Sequence, residues 1–157
     1  MEPEVRTLQV SEMPIAVVTG RATRQDLVRK IRQLFDEFYQ HVASVAVGRR
    51  GLNIIVYRGQ PGVDLMETPE GMPLEIGVQI PAPFAGDGKI LCSRTPAGRV
   101  ATITHIGPYD QMRPTYDLLK QWVRERGESF AGPSWEVYGH WSDDPAQLRT
   151  DIYFLLK

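Results

Sequence analysis

The sequence predicts an α+β domain in which two βαββ repeats, related by a pseudo-twofold axis, share one antiparallel sheet and carry one long helix each. The order strand, helix, strand, strand occurs twice along the 157 residues. Residues 51–57 and 132–138 also match in their Gly start and their Val-Tyr end, as expected of a duplication. We therefore predict one domain over residues 1–157, with repeat 1 at about 5–80 and repeat 2 at about 88–157.

The strands of the first repeat are runs of β-branched and apolar residues bounded by Gly and Pro. A short extended run covers residues 5–10, and a strand over 15–19 ends at Gly20. A further strand spans 52–57. In residues 73–80, Leu, Ile and Val alternate with Glu, Gly and Gln, which is the period of a strand with one buried face.

The first helix is predicted from an apolar stripe of about five turns. Thr23 followed by Asp26 resembles a capping box at its start, and Gly48 and Gly51 end it. The stripe consists of Leu27, Ile31, Leu34, Phe35, Phe38, Val42 and Val45.

The strands of the second repeat follow the same order. They are predicted at residues 90–94, 99–105, 133–138 and 149–156, and a Pro- and Gly-containing turn separates the first two at 95–98.

The second helix is predicted between the strands at 99–105 and 133–138. Asp110 is predicted to cap it, Pro114 fits only its first turn, and Gly127 ends it. Its apolar side carries Met112, Tyr116, Leu119, Trp122 and Val123.

The charge balance argues against nucleic-acid binding. The chain has 18 basic and 19 acidic residues, so its formal net charge is −1 and the basic surface of a nucleic-acid-binding domain is absent. Apolar residues make up 42% of the chain and charged residues 24%, which are ordinary values for a folded domain.

Metal and cofactor sites are also not indicated. Cys92 is the single cysteine and lies in an apolar strand, while His41, His105 and His140 are too scattered for metal-ligand spacing. We expect no metal and no cofactor. The chain has no apolar run of membrane-spanning length and no signal-peptide pattern, so we expect no membrane association and a cytoplasmic location.

A groove is expected where the two repeats meet. Two helices lying side by side on one sheet leave a cleft at the pseudo-twofold axis, and small-molecule sites form in such clefts. The residues alone therefore favour a small-molecule-binding domain.

The second half carries a series of motifs: Pro-x-Gly and His-x-Gly-Pro-Tyr within residues 95–109, Glu-x-Tyr at 136–138, and Thr-Asp-Ile-Tyr at 150–153. In this series the chain resembles the GyrI-like family. Its members are effector-binding domains of bacterial multidrug-responsive transcription regulators, and some are free-standing. The resemblance spans nearly the whole chain and is sharpest in the second half.

The resemblance implies a concave eight-stranded antiparallel sheet of two SHS2 repeats with two helices. It also implies an aromatic-lined central cleft with a buried glutamate that pairs with lipophilic cations. By motif this glutamate is Glu136, with Asp151 and Tyr153 on the neighbouring final strand.

The residues themselves, without the resemblance, also single out Glu136, because it interrupts an apolar strand between Trp135 and Val137. Alternation places it on the same face as Tyr138, and its repeat equivalent is the apolar Ile55. The open alternatives are a solvent-facing carboxylate and a buried one. A buried one would have a raised pKa, which suits either pairing with a cation or acid–base catalysis.

Asp151 and Tyr153, by the motif, and five further aromatic residues join Glu136 as candidate ligand contacts, and each of the five also has a packing interpretation. Tyr57 and Tyr138 are repeat mates, so symmetry places them on the two sides of the axis. Tyr109 begins the turn before the second helix and is either a hydrophobic staple or a rim residue. Phe38 and Trp122 lie on the helix stripes, where core packing is common. For His105, a turn-stabilising hydrogen bond is favoured over catalysis.

We expect the domain to sense or sequester a small lipophilic molecule, cationic or aromatic, with Glu136 as its charge partner. The alternatives are a hydrolase of electrophilic, cyclopropane-type toxins that uses Glu136 as acid–base, and a protein that binds a topoisomerase or a separate transcription regulator. A haem-binding protein of the same fold is disfavoured by the scattered histidines. The sequence shows no helix-turn-helix, so we expect no direct nucleic-acid contact; the oligomeric state is left open.

Overall fold

The computed structural model describes residues 3–157 and contains one eight-stranded sheet with two α-helices. All strand pairs are antiparallel, which confirms the predicted α+β class. The elements in chain order are β1 Arg6–Val10, β2 Pro14–Ala22, α1 Leu27–His41, β3 Asn53–Tyr57, β4 Met72–Gln79, β5 Leu91–Arg94, β6 Gly98–Ile106, α2 Arg113–Glu125, β7 Phe130–Tyr138 and β8 Arg149–Leu156.

The strand order is symmetric about its centre. It reads β1-β6-β8-β7-β3-β4-β2-β5, so each half of the sheet takes its edge strand from the other half of the chain. At the centre, Ile55 pairs with Glu136, and Ile54 and Val56 pair with Val137 and Trp135. Because Ile55 and Glu136 are also repeat mates, the pseudo-twofold axis passes between these two residues.

The sheet is strongly curved. The chain passes from β1 to β2 through residues 11–13, although six inter-strand steps, about 29 Å in a flat sheet, separate these strands. Four Cα–Cα steps cover at most about 15 Å, so the two edges of the sheet must approach each other. On the helix-free face, Ile15 of β2 and Val100 of β6 belong to one buried cluster and have no exposed surface. This face is therefore the concave one.

The two helices lie on the opposite face and pack over different strands. Leu34 and Phe38 of α1 pack with residues of β2 and β4, and Leu119 and Val123 of α2 pack with residues of β6 and β8. The two helix-bearing clusters are separate, and the central strands β3 and β7 lie between them. The groove that the sequence predicts would lie over these two strands, between the helices. Neither helix in residues 3–157 combines the length and hydropathy needed to cross a bilayer.

The first helix is shorter than predicted. It ends at His41, and a 3-10 turn, Val42–Ser44, follows. Val42 and Val45 still pack on the cluster beneath α1. The apolar pattern therefore extends beyond the end of the α-helix. At its start, Asp26 accepts a hydrogen bond from the Thr23 amide at 2.7 Å, one half of the predicted capping box.

The second helix begins later than predicted. Asp110 lies in a 3-10 turn, Tyr109–Gln111, and does not cap α2 with its side chain. Pro114 occupies the first turn, as predicted, and Gly127 follows the helix with a φ of 70°.

Strand β2 continues past its predicted end at Gly20. Gly20 pairs with Leu74 of β4 inside the ladder. A Cβ at this position would lie 2.8 Å from the Leu34 Cδ1 atom, so the glycine allows close packing of α1 rather than ending the strand.

Candidate functional site

The candidate site starts from a row of side chains that crosses the helix-bearing face of the sheet. Cross-strand pairing places Glu136 directly between Ile55 of β3 and Ile152 of β8, with Ile76 and Ile103 one strand further out on each side. All four isoleucines are fully buried, and Glu136 itself is only 4% exposed. One carboxylate thus replaces an apolar side chain at the centre of the sheet.

Three tyrosine hydroxyls donate hydrogen bonds to this carboxylate. Tyr57 and Tyr138 both donate to the Oε1 atom of Glu136, at 3.1 and 2.6 Å, and Tyr116 donates to Oε2. The donors come from β3, β7 and α2, so the carboxylate is held between the sheet and the second helix.

No Lys, Arg or His side chain pairs with Glu136 among the side chains that the structure describes. Burial raises the pKa of Glu136, and the three hydroxyl donors lower it only in part. Burial, together with the nearby Glu136 charge, also raises the pKa values of Tyr57, Tyr116 and Tyr138 well above 10. The result is a buried acid that has hydrogen-bond donors but no counter-charge.

Tyr57 and Tyr138 show how the repeat symmetry builds the site. They are repeat mates, and the axis passes between Ile55 and Glu136, so each tyrosine lies on one side of the carboxylate. Both hydroxyls reach the same oxygen. Symmetry therefore supplies a pair of donors, and the single carboxylate breaks the symmetry between them.

Residues 1–157 match the family profile of the GyrI-like small molecule binding domain. The chain belongs to the GyrI-like family. No curated protein sequence matches it.

Solved structures give the same fold at low identity. The C-terminal domain of EcmrR superposes with a TM-score of 0.75 and 20% identity, covering 100% of this chain and 99% of that one. In the EcmrR–DNA complex the TM-score is 0.77 at 20% identity, covering 99% of this chain, which spans only 57% of that one. SAV2435 bound to tetraphenylphosphonium gives 0.65 at 12% identity, covering 98% of this chain and 94% of that one.

Tyr116 contacts Glu136 in this GyrI-like domain, and the sequence did not single it out as a candidate. Its ring packs edge-on against Phe154 at 5.8 Å, and the Lys120 ammonium lies 5.9 Å from its centre. The helix stripe predicted that Tyr116 faces the sheet, but periodicity does not show that its hydroxyl reaches a carboxylate on β7.

Tyr109 lies at the outer edge of the site. Its ring packs edge-on against Tyr138 with 5.3 Å between ring centres, and 38% of the residue is exposed. The sequence left a staple and a rim position open, and the structure places Tyr109 on the solvent side of a tyrosine that binds Glu136.

Phe38 and Trp122 are not brought to the carboxylate. The sequence indicated Phe38 as a ligand contact, with core packing as the alternative, and in the structure Phe38 has no exposed surface and packs beneath α1. Trp122 packs with the cluster under α2, and the Arg126 guanidinium lies 4.1 Å from its ring centre. Neither forms a hydrogen bond or ring contact with Glu136 or with the three tyrosines that bind it.

Asp151 and Tyr153 lie on the expected neighbouring strand but on the concave face, opposite Glu136. Tyr153 pairs with Trp135, and their rings stack at 5.3 Å. Asp151 accepts hydrogen bonds from Thr104 at 2.6 Å and from Arg149. The motif gave the correct strand, but side-chain alternation directs these two residues away from the carboxylate.

Proposed function

We propose that this GyrI-like small-molecule-binding domain senses or sequesters a small lipophilic cation or aromatic compound in the groove over β3 and β7, with Glu136 as its charge partner. The observation that carries the proposal is the buried carboxylate of Glu136, which three tyrosines hold without a basic partner.

The energetics of this carboxylate favour a cationic ligand. A buried charge is costly unless it is paired, and neutral hydroxyl donors compensate only part of the lost hydration. A cation entering the groove supplies the missing opposite charge. The rings of Tyr57, Tyr116 and Tyr138 add attractive faces, each cation–π contact being worth about 0.5–2 kcal/mol.

The closed arrangement of the tyrosines implies that a ligand displaces one of them. Tyr57 and Tyr138 project from the central strands, whereas Tyr116 is the donor that projects from a helix. A rotation of the Tyr116 side chain or a shift of α2 would open the carboxylate without breaking the sheet. We therefore propose that the ligand takes the place of the Tyr116 hydroxyl.

Tetraphenylphosphonium is a suitable first probe, because it is a lipophilic cation and is the ligand named for SAV2435. We expect it to bind the wild-type protein, and we expect Glu136→Gln to weaken binding about tenfold or more, the equivalent of losing one charge-assisted interaction. Isothermal titration calorimetry measures both affinities.

Glu125→Gln is the matched control, because Glu125 is an exposed glutamate of α2 and its substitution also removes one negative charge. Its affinity should equal that of the wild type. Equal affinity for tetraphenylphosphonium in Glu136→Gln and the wild type contradicts the carboxylate model.

A second candidate, hydrolysis of a strained electrophile, is favoured by one feature of the same site. A carboxyl group with a raised pKa, next to three tyrosine hydroxyls, can donate a proton to a leaving group or activate water. The expected product of a cyclopropane or epoxide substrate has the mass of one added water, and Glu136→Gln should not form it. An unchanged mass spectrum of the substrate after incubation with the wild type excludes this reaction for that compound.

A further inference from the structure

His105 is a buried histidine at the end of β6, next to the site but not part of it. It is 7% exposed and pairs across the sheet with Thr150, which in turn pairs with Tyr138. Both of its ring nitrogens have partners: Nε2 lies 3.0 Å from the carbonyl oxygen of Pro108, and Nδ1 lies 2.8 Å from the Thr115 hydroxyl.

The two partners define the proton positions of the neutral ring. A carbonyl oxygen only accepts, so Nε2 carries the proton and donates it to Pro108. Nδ1 then accepts from the hydroxyl of Thr115, which is itself buried. With both nitrogens engaged in this way, the hydrogen-bonding capacity of the ring is satisfied, and the ring contacts the chain at two points, the Pro108 backbone and the Thr115 side chain.

These two points bracket the segment that carries two tyrosines of the site. We call residues 107–116 the tyrosine segment: it contains the 3-10 turn with Tyr109 and the first turn of α2, with Tyr116 directly after Thr115. The Pro108 contact fixes the beginning of this segment, and the Thr115 contact fixes its end. Gly107, with a φ of 136°, lets the backbone turn back over the imidazole ring.

We infer that His105 is a positioning residue of the ligand site: through Pro108 and Thr115 it holds the tyrosine segment so that Tyr116 reaches Glu136 and Tyr109 packs on Tyr138. The contacts with the carboxylate are made by the tyrosines, and His105 acts through them. The effect on ligand binding rests on the proposed function, whereas the effect on the tyrosines does not.

Two substitutions separate the two contacts of His105. Asn places its amide near the position of Nδ1, so His105→Asn keeps a group that accepts from Thr115 and loses the contact with Pro108. Gln reaches the position of Nε2, so His105→Gln keeps a donor to Pro108 and loses the contact with Thr115. Thr115→Val removes the same contact as His105→Gln without changing the histidine.

Alkaline titration of tyrosine absorbance in the ligand-free protein tests the inference directly. The chain has six tyrosines, and burial keeps Tyr57, Tyr116 and Tyr138 protonated well above pH 10 in the wild type. In His105→Gln and in Thr115→Val, about one additional tyrosine should ionise near the ordinary value of about 10, because Tyr116 is no longer held in place. Thr102→Val, on the concave side of β6, is the matched control and should titrate like the wild type.

The second measurement is the affinity for tetraphenylphosphonium. His105→Asn should weaken binding about threefold to tenfold, the range expected for one lost hydrogen bond. In a Tyr109→Ala background it should have no further effect, because both substitutions act through the ring of Tyr109.

Unchanged tyrosine titration in His105→Gln and Thr115→Val overturns the inference, provided that circular dichroism shows both variants folded. Additive effects of His105→Asn and Tyr109→Ala also overturn it. If the titrations shift as expected while the wild type does not bind tetraphenylphosphonium, the positioning role stands and the proposed cation binding fails.

Discussion

The two repeats place different side chains at the same point of the fold. Ile55 of the first repeat and Glu136 of the second face each other across the pseudo-twofold axis, and isoleucines continue the row on both sides. On the helix side, Tyr57 and Tyr138 remain matched and converge on the single carboxylate. The comparison teaches that the duplication provides a pair of tyrosine donors, while the one difference at the axis provides the carboxylate that they bind.

The largest effect is expected from adding the second carboxylate. Ile55→Glu would place two buried acids on directly paired positions, with no donors free for the new one, so we expect a loss of about 3–5 kcal/mol in the free energy of unfolding near neutral pH. The loss should shrink as the pH falls, because protonation of one acid relieves the repulsion. Urea unfolding at several pH values measures it, and Ile55→Gln, which adds polarity without charge, should not show the pH dependence.

A loss that does not depend on pH in Ile55→Glu would show that the new carboxylate is not near Glu136. Ile55 and Glu136 would then not be paired across the axis.

Removing the matched hydroxyls should have an intermediate effect. Tyr57→Phe and Tyr138→Phe each remove one hydrogen bond to a buried carboxylate, and we expect each to lower the free energy of unfolding by about 1–3 kcal/mol. Because both hydroxyls donate to Oε1, the double variant should lose a different amount from the sum of the single losses. A strictly additive double-mutant cycle would contradict the shared acceptor. Tyr39→Phe, whose hydroxyl contacts Asn53 elsewhere on the surface, is the control.

The sequence predicted the repeats and the central acid because both depend on local patterns. Alternation and Gly or Pro boundaries define the strands, and the alignment of Ile55 with Glu136 marks the position where the repeats differ. Local patterns could not predict that Tyr116 contacts Glu136, or that Asp151 lies on the opposite face of the sheet from Glu136. Helical periodicity gives the face of Tyr116 but not its reach, and the face of Asp151 depends on the register between β7 and β8.

The smallest effect is expected on the concave face. Asp151→Asn and Tyr153→Phe should change tetraphenylphosphonium affinity by less than about twofold, because both side chains point away from Glu136. Calorimetry of each variant, with Tyr138→Phe on the helix-bearing face for comparison, measures these affinities and tests on which face of the sheet the ligand binds. A loss of affinity in Asp151→Asn as large as that in Glu136→Gln would place the ligand on the concave face instead.

The central claim is that the buried carboxylate at the axis is the charge partner of the ligand, and its raised pKa makes the claim measurable. A cation binds the ionised acid, so below the pKa of Glu136 its binding must release a proton, and wild-type affinity for tetraphenylphosphonium should rise with pH, by at most about tenfold per pH unit. Affinity measured from pH 5 to pH 8 should follow this rise in the wild type and be flat in Glu136→Gln. The same pH profile in both proteins would contradict the account.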